Sequence, residues 1–312
     1  MTMIQETATA LLSPGKGLLV LDRYAHEAIS RSRAAGTTTE SYVELALVES
    51  ELSSYISGVV LTPDVGAPVR DRSVLRGVSL DPTEVVAARI GSRAASALRG
   101  RVMDLTERGA SFVEWRANMS TDKIARGETH VNASALARAA AVTQSLDVLP
   151  VVTAAVPEIE LRGIYVTQAA TSNALLELFR QFEIFGVDPA GVILRVNMVV
   201  PSADQPFLAE ASDVARATVR VIGESTPENL AGIAFLSGGQ QLDRACANLS
   251  AICDLARRRN VPRTLTFGFT RALVTDSLRL AGAPQAIQSN LVSACRRASQ
   301  SLLRPDTKSA SG

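Results

Sequence analysis

Apolar and polar positions alternate along the chain in blocks. Eight short apolar segments occur in order: Leu18–Asp22, Ser57–Leu61, Gly77–Leu80, Phe112–Arg116, Leu149–Thr153, Gly191–Arg195, Gly232–Leu236 and Leu265–Gly268. Each is a continuous run dominated by Val, Ile, Leu or Phe, the pattern of a strand buried on both faces. Between them lie Ala-, Arg-, Glu- and Leu-rich stretches long enough for helices. Thr38–Ser54 keeps Val43, Leu47 and Leu52 near helical spacing behind the caps Thr38 and Thr39. Pro82 sits in the first turn of a helix opened by Asp81. Val131–Ser145, Tyr165–Phe185, Phe207–Gly223, Gln240–Arg259 and Pro284–Leu303 complete the set. Strand and helix alternating eight times predict an α/β fold of the (β/α)8 TIM-barrel type. One barrel is expected over residues 1–303, followed by a polar, mobile tail over 304–312.

Several segments end in a polar or charged residue: Asp22, Arg116, Thr153 and Arg195. Strand ends of this kind open onto the face where such barrels keep their chemistry. Arg195 is therefore expected at the floor of a pocket.

Composition narrows the partners. The 312 residues are 46% hydrophobic with a net charge of +1, which argues against a nucleic-acid or membrane partner held by charge. Lysine is nearly absent: Lys16, Lys123 and Lys308 stand against 29 arginines. Met1–Leu12 lacks the basic start and apolar stretch of a secretion signal, so a cytoplasmic location is expected. Cys246 and Cys253 are seven apart on an expected helix, about 10 Å by the helical rise, too far for a disulfide. No Cys/His cluster has zinc spacing, and neither a metal nor an organic cofactor is expected.

Distributed motifs resemble the class I fructose-bisphosphate aldolase family. Gly15-Lys16-Gly17-Leu18-Leu19 followed by Asp22 is similar to its Gly-Lys-Gly-Ile-Leu-Ala-Ala-Asp. Gly109-Ala110-Ser111-Phe112-Val113-Glu114-Trp115-Arg116 resembles Gly-Ala-Asp-Phe-Ala-Lys-Trp-Arg. Gly232-Ile233-Ala234-Phe235-Leu236-Ser237-Gly238-Gly239-Gln240 resembles Gly-Ile-Val-Phe-Leu-Ser-Gly-Gly-Gln. Leu265-Thr266-Phe267, with Arg271-Ala272-Leu273 beyond it, resembles the eighth strand and its arginine. Gly191–Met198 resembles the strand carrying Leu-Leu-Lys-Pro-Asn-Met, with Arg195 where that lysine stands and Asn197 retained.

The resemblance implies that much of the family's machinery is altered. A class I aldolase needs a neutral amine to form an iminium. A guanidinium stays protonated, with a pKa above about 12. Ser79 and Glu114 stand where the family has two further lysines. The fifth-strand Glu-Pro-Glu falls on Thr153-Ala154-Ala155 without a gap, or on Val156-Pro157-Glu158 with a three-residue insertion. Asp22, Arg116, Ser237, Gly238, Gly239 and Arg271 persist, the last four as a phosphate cradle.

Three functions compete. In the first, a phosphorylated sugar or carbonyl compound undergoes acid/base chemistry, isomerase- or lyase-type, without an iminium. Asp22, Glu114 and Arg195 are then the catalytic candidates, and Ser79, Arg116, Thr153, Asn197, Ser237, Gly238, Gly239 and Arg271 the binding residues. In the second, the barrel is a non-catalytic sugar-phosphate sensor or scaffold. The third is ordinary fructose-bisphosphate cleavage by a rearranged site. Glu114 and Arg195 also read as a salt bridge, and Gly238-Gly239 as a tight turn. Trp115 is expected to pack, and His26 and His130 to lie at the surface. Tyr24 and Arg23 are expected at the pocket mouth or on the surface. The resemblance further implies a homo-oligomer.

Overall fold

The computed structural model describes residues 1–23, 25, 27, 50–64, 71, 73–87, 93–119, 126–157, 163–202, 209–278 and 284–303. Tyr24, His26, residues 38–49 of the expected first helix, Lys123, Glu158, Phe207 and the tail 304–312 lie outside them.

Eight parallel strands close into a barrel in sequence order. They are β1 (Gly17–Leu21), β2 (Ile56–Leu61), β3 (Leu75–Leu80), β4 (Phe112–Asn118), β5 (Leu149–Ala155), β6 (Ile193–Asn197), β7 (Gly232–Leu236) and β8 (Thr264–Phe269). The ring closes where Leu18 and Leu19 of β1 pair with Gly268 and Phe269 of β8. Helices α1 (Met3–Leu11), α2 (Pro82–Ala87), α3 (Ala94–Glu107), α4 (Arg126–Gln144), α5 (Ile164–Phe185), α6 (Ala211–Ser225), α7 (Leu242–Arg258), α8 (Arg271–Leu278) and α9 (Pro284–Gln300) accompany them.

Most element boundaries shift by one to a few residues from the sequence reading, and two of the differences concern the type of element. Gly191 is not in the sixth strand. It ends a 3-10 turn, Pro189–Gly191, whose start is capped by Asp188 accepting from the Ala190 N–H at 3.0 Å. A proline and an Asx cap override the apolar run, and the strand begins two residues later. The last residues of Thr38–Ser54 form a 3-10 turn, Ser50–Ser54, instead of an α-helix.

The barrel interior is graded. Its lower half is apolar, filled by Leu18, Val20, Phe112, Val151, Ile193 and their neighbours. Helix α1, which the apolar segments did not announce, closes this end. Its first turn is held by a reciprocal box: Thr2 Oγ1 accepts from the Gln5 N–H at 3.3 Å and Gln5 Oε1 accepts from the Thr2 N–H at 3.1 Å. Its last turn is held where the Ser57 hydroxyl donates to the Leu11 carbonyl at 2.5 Å. Ala8 and Leu11 are buried in the lower core. One step up, the inward positions become Ser79, Glu114, Thr153 and Arg195. The upper face is thus polar by the two-residue period of strands.

If α1 closes the apolar core, Leu11→Ala should cost about 2–5 kcal/mol, the range for emptying a buried leucine site. Chemical denaturation measures this. A loss below about 1 kcal/mol would show that the core closes without the helix.

Candidate active site at the carboxyl ends of the strands

Strand pairing brings the charged layer together. Ser79 lies opposite Glu114 across β3 and β4, and Thr153 lies beside both Arg116 and Arg195. The β4–β5 register runs unbroken from Phe112–Leu149 to Asn118–Ala155. Thr153-Ala154-Ala155 therefore end the fifth strand, and Val156 and Pro157 follow on the cavity wall.

Glu114 and Arg195 form a salt bridge between side chains that are both 0% exposed. Arg195 Nη1 donates to Glu114 Oε1. The Thr153 hydroxyl donates to the same oxygen at 2.5 Å. Arg195 Nη2 donates to the Gly268 carbonyl at 2.8 Å. Burial opposes ionisation of Glu114, but Arg195, Arg116 and the Thr153 and Ser79 hydroxyls outweigh it and hold the carboxyl below its ordinary range. A buried ion pair survives desolvation only with such added hydrogen bonds. Gly268 is part of the arrangement: a Cβ there would lie 2.7 Å from Arg195 Nε. The glycine makes room for the guanidinium.

Above this layer are two cavities that share Arg116. The first, of ≈ 380 Å³, is lined by Arg116, Asn197, Ser237, Gly238, Gly239 and Arg271 among others. Gly238 and Gly239 have φ of +57° and +69°, left-handed conformations that favour glycine. The Ser237 carbonyl accepts from the Gln240 N–H at 3.1 Å and from Gln240 Nε2 at 2.7 Å, which fixes the turn. Neither glycine N–H has an acceptor among the described residues. Two such amides beside a guanidinium make an anion cradle. Asn197 also ties strand ends together, its Oδ1 accepting from the Val156 N–H at 2.9 Å.

The second cavity, of ≈ 260 Å³, contains Asp22 and Ser79. Asp22 is 1% exposed. Its carboxylate accepts from the Ala25 N–H at 3.3 Å and lies 3.7 Å from Arg116 Nη1. Burial raises its pKa above the ordinary 3.8, assisted by the nearby Glu114 charge and opposed by Arg116 and Arg195. Ser79, Arg116, Asn197, Ser237, Gly238, Gly239, Arg271 and Asp22 thus line one or other cavity. Glu114, Arg195 and Thr153 line neither and lie in the layer beneath. Arg195 was expected at an open pocket floor; the structure buries it instead, its two terminal nitrogens held by Glu114, Thr153 and the Gly268 carbonyl and its Nε without a partner among the described residues.

Other side chains of the described residues are placed as follows. Trp115 is buried, and its Nε1 donates to Thr143 Oγ1 at 2.8 Å. His130 lies at the surface on α4, 2.8 Å from Glu177. Arg23 lies at the mouth of the second cavity, paired with Glu84 at 3.3 Å. The three cysteines are free thiols. Among the described residues no group of His, Cys, Asp and Glu is arranged to hold a metal ion. No described helix is long and apolar enough to cross a membrane.

The family model "Glycolytic: Fructose-bisphosphate aldolase class-I" matches residues 3–304. The chain belongs to the class I fructose-bisphosphate aldolase family. It is 31% identical over 302 residues to a probable fructose-bisphosphate aldolase class 1 of Xylella fastidiosa, covering 89% of each chain. It is 29% identical over 304 residues to fructose-bisphosphate aldolase C-A of Danio rerio, covering 88% of this chain and 82% of that one. Its barrel superimposes on the fructose-bisphosphate aldolase of Plasmodium falciparum, solved with TRAP and a small-molecule inhibitor. The TM-score is 0.83 at 24% identity, covering 96% of this chain and 94% of that one. Position 195 on its sixth strand is an arginine.

Breaking the buried pair at one end should be costly. Glu114→Gln leaves a sealed guanidinium without its counter-charge and should lose about 3–5 kcal/mol of stability, whereas replacing Glu114 and Arg195 together by Leu and Met should recover most of it. Because the folded pKa of Glu114 is lowered from 4.5, its ionised form contributes stability that is present above pH 4.5 and is lost as pH falls through the folded value. The gap between wild type and Glu114→Gln should narrow on acidification, measured by denaturation at several pH values. A gap that widens would contradict the ionised pair.

Proposed function

We propose that this aldolase-family chain binds a small phosphorylated sugar or other phosphorylated carbonyl compound, and moves a proton on it without forming an iminium. The observation that carries the reading is the combination of a buried Glu114–Arg195 pair with a cavity lined by Ser237, Gly238, Gly239 and Arg271 above it. The names of the relatives supply the ligand class, a sugar phosphate.

Ser237, Gly238, Gly239 and Arg271 hold the phosphate through backbone amides and a guanidinium. Arg116 spans the two cavities and faces the carbonyl oxygen, where its fixed charge stabilises a developing enediolate. Asp22 accepts the proton from the adjacent carbon, and its raised pKa suits it to return that proton. Glu114, Arg195 and Thr153 position Arg116 and the floor without touching the ligand. Asn197 holds the strand end that carries the cavity wall, and Ser79 supplies a neutral hydroxyl.

A second reading, a sugar-phosphate sensor or scaffold with no turnover, draws on the same buried pair, since no lysine or cysteine is among the described residues that line either cavity. A cytoplasmic homo-oligomer belongs to either reading, and light scattering of the purified protein checks the assembly.

The test is solvent deuterium exchange into bound dihydroxyacetone phosphate, read by mass spectrometry. Wild type should exchange, Asp22→Asn should lose at least about 100-fold in rate, the lower end for a general base, and Arg271→Ala should lose ligand binding. The rate should rise as pH climbs through the folded pKa of Asp22, which lies above 3.8, and this limb should vanish in Asp22→Asn. Binding without exchange would favour the sensor; no binding would overturn both readings.

A further inference from the structure

The two cavities differ in charge, and the difference selects the far end of the ligand. The first cavity carries Arg116 and Arg271 and, among its described lining residues, no carboxylate. The second is lined by Asp22, Asp64, Asp81 and Glu84 against Arg23 and Arg116. Both of those arginines are already matched to carboxylates: Arg23 pairs with Glu84 at 3.3 Å, and Arg116 lies 3.7 Å from Asp22. Asp81 is turned to its own chain, Oδ1 accepting from the Thr83 N–H at 2.8 Å. Among the described residues of this second cavity, four carboxylates stand against two arginines.

An independent feature of the same cavity asks for a neutral partner. Thr62 lies just beyond β2, is 8% exposed, and lines the second cavity. Its Oγ1 has no hydrogen-bond partner among the described residues. A buried hydroxyl without a partner costs free energy, and a ligand hydroxyl in the cavity satisfies it as donor or acceptor. Ser79 presents a second hydroxyl beside it, on the wall of the same cavity. Carboxylates accept from ligand hydroxyls equally well, whereas a second phosphate would meet like charge.

We infer that the ligand is a phosphomonoester: one phosphate in the Ser237–Arg271 cavity, and an uncharged, hydroxyl-bearing end in the Thr62–Ser79 cavity, with a second phosphate excluded. This rests on the phosphate reading of the first cavity given under Proposed function and extends it to the far end. It sets this chain apart from an enzyme that takes a sugar bearing phosphates at both ends.

The test is calorimetric titration of the full chain at low ionic strength with inorganic phosphate, fructose 1-phosphate and fructose 1,6-bisphosphate. The two sugars differ only in the second phosphate. Fructose 1-phosphate should bind about tenfold or more tightly than the bisphosphate, the scale of a like-charge penalty. That gap should narrow with added salt and in Asp64→Asn, both of which weaken the repulsion. Thr62→Val should weaken fructose 1-phosphate by about 2- to 10-fold, the worth of one hydrogen bond, while inorganic phosphate binds as before. Bisphosphate binding as tightly as the monophosphate, or more tightly, would overturn this inference and leave the phosphate cradle standing. Failure of all three ligands to bind would remove the cradle reading and this inference with it.

Discussion

The site depends on one buried contact, the salt bridge between Arg195 on β6 and Glu114 on β4. A guanidinium closed off from water must find its counter-charge and most of its acceptors inside the protein. Glu114 supplies the charge, Thr153 bonds the same carboxylate oxygen, and the Gly268 carbonyl takes the other end of the fork. Gly268 carries no side chain where one would collide with Arg195. Three residues on three strands are therefore adjusted to a single arginine. An amine at this position would be a nucleophile; this arginine is a structural cation that organises the floor.

The chemistry left to the molecule lies above that floor and follows from it. With the central charge paired, the groups that line the cavities are Ser237, Gly238, Gly239 and Arg271 on one side and Asp22, Thr62 and Ser79 on the other, with Arg116 in both. Arg116 joins the two halves, lying within reach of Asp22 while lowering the pKa of Glu114. The buried pair and the exposed site are electrostatically coupled through this one side chain. The acidic lining of the second cavity comes from Asp22, Asp64, Asp81 and Glu84, at or just beyond the ends of the first three strands.

Much of this was legible in the sequence because barrel strands are continuous apolar runs. All eight appear near their observed places, and Phe235-Leu236-Ser237-Gly238-Gly239 fixes the register of the seventh. The sixth was read too early because Gly191 and Val192 look like strand, while Pro189 and Asp188 shape a turn there. Helix α1 was missed because Met1–Leu12 is short and was read for a targeting signal, not for a core face. Glu114 and Arg195 read in the sequence either as catalytic groups or as a salt bridge, because a charge at a strand end looks the same whether it opens on a cavity or lies beneath one. Thr62 gave no signal, since a threonine after an apolar run is common and its unpartnered hydroxyl exists only in three dimensions.

The central claim is that this barrel has exchanged iminium chemistry for a fixed internal cation. Borohydride trapping tests it most directly. The protein is incubated with dihydroxyacetone phosphate, reduced, and weighed intact by mass spectrometry. The account predicts no covalent adduct, because Arg195 cannot form one and the chain's three lysines are Lys16, Lys123 and Lys308. A stoichiometric adduct on any of those lysines would contradict it.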